Sequence, residues 1–194
     1  MNQADTVWLL VSTALVFFMT IPGLALFYGG MVRAQSAMTM YLKCYAVACL
    51  VAVLWYAVGY SIAYGNADSF WGGIDNVLLL QVTATSLSDT VPEIAFFAFQ
   101  MTFAIITPVL IVGTFAERVK FGFVLAFSGL WLVFVYAPIT HWVWGGGFLS
   151  DGGIFGAVGV RDFAGGLVVH QAAGVAALVI ALIVGPRKTA STVR

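Results

Sequence analysis

The sequence predicts an all-helical integral membrane protein, a single membrane domain over residues 1–194 with five transmembrane helices. Three observations carry this. First, 62% of the residues are hydrophobic and only 8% are charged, against about 25% charged in a soluble domain. Second, the stretches 6–32, 44–67, 94–116, 121–150 and 163–186 contain no Asp, Glu, Lys or Arg, and each exceeds the roughly 20 apolar residues a bilayer-crossing helix needs. Third, the basic residues are segregated to one side of these stretches. Eight basic and eight acidic side chains cancel, so no basic patch exists for nucleic acid. The aliphatic and aromatic load excludes disorder. Cys44 and Cys49 share one apolar stretch, which suits helix packing and gives neither a disulfide framework nor a zinc spacing. Membrane barrel strands would alternate polar and apolar residues over about ten positions, and these stretches do not.

The first span is expected over 6–31. No basic segment precedes it, so it reads as a retained span and not as a cleaved signal. The second is expected over 40–64. The segment 65–93 is read as an outer loop, because Gly72, Gly73, Asn76 and Gln81 interrupt its apolar character. The third and fourth spans, 94–115 and 120–141, are separated by the short basic link around Glu117, Arg118 and Lys120. A glycine-rich outer loop over 142–162 follows, then the fifth span over 163–184. Arg33, Lys43, Arg118, Lys120, Arg187, Lys188 and Arg194 fall on the side opposite the N-terminus, with only Arg161 on the N-terminal side. By the positive-inside rule the N-terminus is outside and the C-terminus cytoplasmic, in a cell (inner) membrane. Trp8, Trp71, Trp142 and Trp144 cluster near the outer boundary, as interfacial aromatics do.

Polar residues within apolar spans mark candidate sites. His170 follows Asp162 by eight positions, about 12 Å along a helix axis, which puts its imidazole near the midplane. An ionisable group at that depth is costly and is a functional candidate. Gly166 and Gly174 flank it four residues either way and predict close approach of another helix to that face. The competing reading is a histidine hydrogen-bonded across a bundle interface. Asp162 is expected at the N-terminus of the fifth helix, where a carboxylate caps orphan N–H groups; attraction of a cation is compatible with that role. Phe99 and Phe103 lie four apart on one face of the third span, where ordinary packing is the simplest account. Trp144 fits a belt tryptophan or the wall of a cation site. His141 is read as an interfacial histidine with a structural partner.

Taken together these residues resemble the ammonium transporter (Amt) family. The segments that carry the resemblance are Thr20-Ile21-Pro22-Gly23-Leu24-Ala25-Leu26-Phe27-Tyr28-Gly29-Gly30, Ala98-Phe99-Gln100 with Phe103, Ala116-Glu117-Arg118, His141-Trp142-Val143-Trp144-Gly145-Gly146-Gly147, and most specifically Asp162-Phe163-Ala164-Gly165-Gly166-Leu167-Val168-Val169-His170. Trp144 favours the Amt branch over the related Rhesus proteins. The resemblance implies a homotrimer whose subunits each hold a narrow pore within an inverted five-plus-five repeat. It implies that Trp144 and Phe103 line an external ammonium site, that Phe103 is half of a phenylalanine gate, and that His170 is the first of two pore histidines. It gives Asp162 a supporting role, and Phe99, Gln100 and Tyr28 secondary ones. It also implies transport of ammonium/ammonia in the lipid bilayer with no cofactor and no enzymatic reaction, and regulation by a cytoplasmic PII-type protein.

Only five of the implied eleven helices are present. The chain is therefore expected to be the N-terminal half of such a transporter, carrying one wall of the pore and not expected to conduct alone. Two other classes compete: a membrane electron carrier with haem between His141 and His170, and an ammonium-binding sensor or assembly module.

Overall fold

The computed structural model describes residues 1–155 and 158–186. Gly156, Arg187, Lys188 and Arg194, which contribute to the loop and charge patterns above, lie outside the described residues. Five helices are long and apolar enough to cross a membrane: α1, Gln3–Gly30; α2, Ala34–Tyr64; α3, Glu93–Phe115; α4, Phe121–Val143; and α5, Gly166–Val184. Each expected span is present. The largest boundary difference is at α2, which begins six residues before the expected position 40. Lys43 lies inside that helix, only 4% exposed, and its amine reaches the Val119 carbonyl at 3.3 Å. A long aliphatic stem lets a lysine run along apolar surface to a polar partner, so its charge does not mark the helix end.

The bundle is organised around α3, which touches all four other spans. Sixty-one per cent of its apolar stretch is buried, against 11% for α1 and 22% for α5. α3 is therefore the core, and α1 and α5 are flanks with unfilled faces. The interior is aliphatic and aromatic. Val47, Val51, Ile105, Val109, Ile111, Val112 and Phe115 are all within 1% of full burial, and they repeat at the three- and four-residue spacing of a helix face. α1 bends over Met19–Leu24, where Ile21 leaves helical geometry ahead of Pro22, as expected where proline cannot accept a helical position.

Three further spans contain a π-helical turn: Trp55–Gly59 in α2, Leu132–Tyr136 in α4 and Gly166–Gln171 at the start of α5. Such turns are uncommon and concentrate at functional sites. The first two face each other through Trp55 and Tyr136, whose rings lie 6.1 Å apart. The 65–93 connection is a loop, as expected, with one short antiparallel pairing of Leu87–Ser88 with Val91–Pro92 just before α3.

Candidate functional site

The entrance to α5 is set by Asp162. Its carboxylate accepts the backbone N–H of Gly166 at 2.7 Å, Leu167 at 2.9 Å and Val168 at 2.8 Å. Three of the four orphan donors of a helix start are thus taken up by one side chain. Gly165 makes this possible. Its φ of +74° is left-handed, and an added Cβ would meet Val169 Cγ2 at 2.8 Å, so glycine alone fits without strain. Asp162 therefore caps α5 from outside the helix, in agreement with the expected cap.

The same loop positions Trp144, whose indole N–H donates to the Asp162 carbonyl at 2.8 Å. Backbone and side chain of one residue thereby fix both the tryptophan and α5. Trp144 lines a cavity of about 470 Å³ at the loop end of α5, together with Tyr64, Phe96, Gln100, Asp162 and Phe163. Gln100 is 8% exposed, and its Oε1 has no hydrogen-bond partner among the described residues. A buried carbonyl oxygen without a donor is costly, and this one borders an open polar cavity. Arg161 and Asp151, paired at 3.1 Å, contribute to the same wall.

A line of rings leads from this cavity inward. Trp144 and Phe103 meet with centroids 6.4 Å apart and planes at 68°; Phe103 and Phe99 meet edge-on at 5.0 Å and 84°. Phe103 then borders an apolar groove of about 490 Å³, whose other lining residues include Phe27, Ile106, Leu110, Val169 and His170. His170 is exposed there, with no hydrogen bond to its ring among the described residues. The expected close helix contact at Gly166 and Gly174 is not made within this chain. A Cβ at Gly174 would meet nothing within 4 Å, and one at Gly166 only the Asp162 carboxylate at 3.8 Å. The face that carries His170 is open.

The other sequence candidates fall elsewhere. Tyr28 does not line the groove; its hydroxyl donates to the Leu110 carbonyl at 2.8 Å and its ring packs over Gly113, toward the basic end. His141 is 1% exposed and has a structural partner at each nitrogen: Nδ1 lies 3.0 Å from the Ala63 carbonyl and Nε2 2.8 Å from the Asp68 carbonyl. Each ring nitrogen is turned to a backbone carbonyl, to one of which a neutral imidazole donates, so neither is directed at the groove that holds His170 and the two histidines are not placed as a haem-ligand pair. The groove residue Phe27 and the cavity residues Tyr64 and Phe96 were not singled out from sequence. Phe96, Gln100 and Phe103 share one helical face at spacings of four and three, a signal that could have found the α3 wall.

Fold and site define an integral-membrane helical protein, in which an aromatic-walled cavity adjoins an apolar groove. The particular family follows from comparison with known proteins. Residues 7–193 match the Ammonium Transporter Family, and the chain belongs to it. The Bacillus subtilis ammonium transporter is 44% identical over 190 residues, covering 97% of this chain and 45% of its own length. The ammonium transporter of Aquifex aeolicus is 45% identical over 197 residues, covering 100% and 45%. The crystal structure of Candida albicans Mep2 superposes with a TM-score of 0.84 at 36% identity, over 96% of this chain and 40% of that one. The chain thus spans under half the length of the relatives it matches.

Proposed function

We propose that this chain forms the first five-helix half of an ammonium transporter and supplies one wall of its conduction path. The observation that carries the reading is the continuity of Trp144, Phe103 and His170, which joins a polar outer cavity to an apolar groove. Ammonium and potassium are similar in size, so radius separates them poorly. Ammonium donates hydrogen bonds and can lose a proton. The ring faces of Trp144 and Phe103 with the free Gln100 Oε1 favour a cation that is also a donor. Beyond Phe103 the lining is apolar, and a desolvated charge there is expensive. Neutral ammonia crosses; the His170 imidazole accepts or donates its hydrogen bond. Asp162 acts by holding Trp144 and the α5 entrance in place.

In this reading the groove is open because inverted-repeat transporters build their site between two repeats, and the opposing wall comes from the remaining length of the relatives. The chain alone does not conduct. The basic end is cytoplasmic, the assembly is a homotrimer, and a PII-type protein regulates the full-length form.

The test places His170→Ala in a full-length protein. The expected result is a sharp change in methylammonium uptake with trimer assembly retained. Unchanged uptake and unchanged ammonium-over-potassium selectivity would make His170 a packing residue. Liposomes holding the isolated chain are expected to show no uptake; transport at the rate of a full-length relative would refute the half-pore reading.

A further inference from the structure

The cavity beside Trp144 contains a cation of its own. Of the described basic residues, Arg161 alone lies at the N-terminal end of the bundle, and its side chain is part of the cavity wall. Its Nη1 donates to Asp151 Oδ2 at 3.1 Å. The other oxygen, Asp151 Oδ1, accepts the Gly159 N–H at 3.1 Å, so this carboxylate is held from two sides. Asp162 is the remaining charged residue of the lining, and its carboxylate is occupied by the Gly166, Leu167 and Val168 N–H groups. Two carboxylates and one guanidinium leave the lining at a net charge of −1. The paired side chains are 54% and 58% exposed, and an ion pair that open to water does little for stability. Its effect falls on the field inside the cavity.

We propose, on the reading of this cavity as the ammonium mouth, that Arg161 sets its cation affinity: by cancelling Asp151, it holds the wall at one negative charge instead of two. Charge attracts any entering cation, whereas the Trp144 ring face and the unpaired Gln100 Oε1 reward one that also donates hydrogen bonds. With Arg161 in place, the second kind of contact keeps the larger share of the binding. A wall at −2 would also hold ammonium more deeply before it sheds its charge at the apolar groove. Coulomb's law gives the size of the effect. Across roughly 10 Å, the span of a cavity of about 470 Å³, one unit charge changes cation binding about twofold at the permittivity of water and about fifteenfold at that of a protein surface. The exposure of both side chains places the effect near the lower figure, about threefold.

Methylammonium uptake by the full-length protein in liposomes at low ionic strength tests this through the half-saturation concentration. Arg161→Gln is expected to lower it about threefold and Asp151→Asn to raise it about threefold. The double substitution, which restores the net charge of the wall, is expected to return it to the unsubstituted value, and Arg161→Lys, which keeps the charge, to preserve it. Raising the ionic strength to about 0.5 M is expected to shrink both shifts. Both positions are exposed loop residues, so the fold is retained; circular dichroism checks each variant. An ion pair that only braces the loop would behave differently, since loss of either partner would move the constant in the same direction. Shifts of the same sign, no shift in either single variant, or a double variant that fails to return, all in folded protein, overturn this role of Arg161 and leave the transport reading standing. Absence of uptake by the unsubstituted protein refutes the transport reading itself, and this role of Arg161 with it.

Discussion

Replacing Asp162 separates a capping role from direct cation binding. Asp162→Ala removes the acceptor of three backbone N–H bonds at 2.7, 2.9 and 2.8 Å. Each such bond is worth about 1 kcal/mol net, and a carboxylate at a helix start adds about 0.5 kcal/mol from the dipole. The expected loss is therefore about 3.5 kcal/mol, above the roughly 0.5–2 kcal/mol of an ordinary cap because three donors depend on one side chain. Asp162→Asn keeps one acceptor oxygen and is expected to cost about half as much. The assay is reversible unfolding in mixed micelles, with amide hydrogen exchange read at Gly166, Leu167 and Val168. Faster exchange at those three amides and a graded loss of stability, Ala more than Asn, are the expected results. If Asp162→Ala shifts stability by less than about 0.5 kcal/mol and the three amides stay protected, the carboxylate is not what holds the entrance of α5.

Gly165→Ala should destabilise by about 1–2 kcal/mol, the penalty of a left-handed non-glycine residue, because φ is +74° and the new Cβ faces Val169 at 2.8 Å; a melting temperature equal to wild type would contradict the geometry. His141→Ala leaves the Ala63 and Asp68 carbonyls without their partner in a site 1% exposed. It should cost about 2–4 kcal/mol from a cavity plus lost hydrogen bonds, read as a lower unfolding midpoint and increased proteolysis in the 65–75 loop.

The spans were legible because the bilayer imposes a length and punishes charge, so charge-free runs locate helices without any knowledge of packing. Lys43 shows the limit: its charge ended a run in the sequence, yet its stem carries the amine along α2 to Val119. Asp162 was legible as a cap from its place before a helix, but the number of amides it serves depends on the left-handed Gly165, which residue identity alone does not fix. His170 was legible as an ionisable group within an apolar span, but α5 begins at Gly166, so the residue is the fifth of its helix and not eight helical positions past Asp162. The faces of Gly166 and Gly174 were legible as surfaces for a close neighbour, and no described residue fills them; small residues signal that a neighbour can approach and cannot say which part of a longer protein provides it. The π turns carry no residue signature at all, and Tyr28 was carried by resemblance toward the site while its hydroxyl is committed to Leu110.

The π turn at Trp55–Gly59 has a consequence for how this sequence can change. Such a turn takes up one more residue than the helix around it within the same rotation, so excising a single position there would restore the α spiral with its neighbours still facing their partners, whereas an excision in the regular helix would swing everything downstream by about 100° about the axis. An excision of that second kind, upstream of Trp55, would carry Tyr64 off Phe96 and turn the Ala63 carbonyl away from His141. The Trp55–Gly59 turn is therefore where α2 can absorb the loss of one residue, while the count elsewhere in the helix is fixed by what lies at its far end.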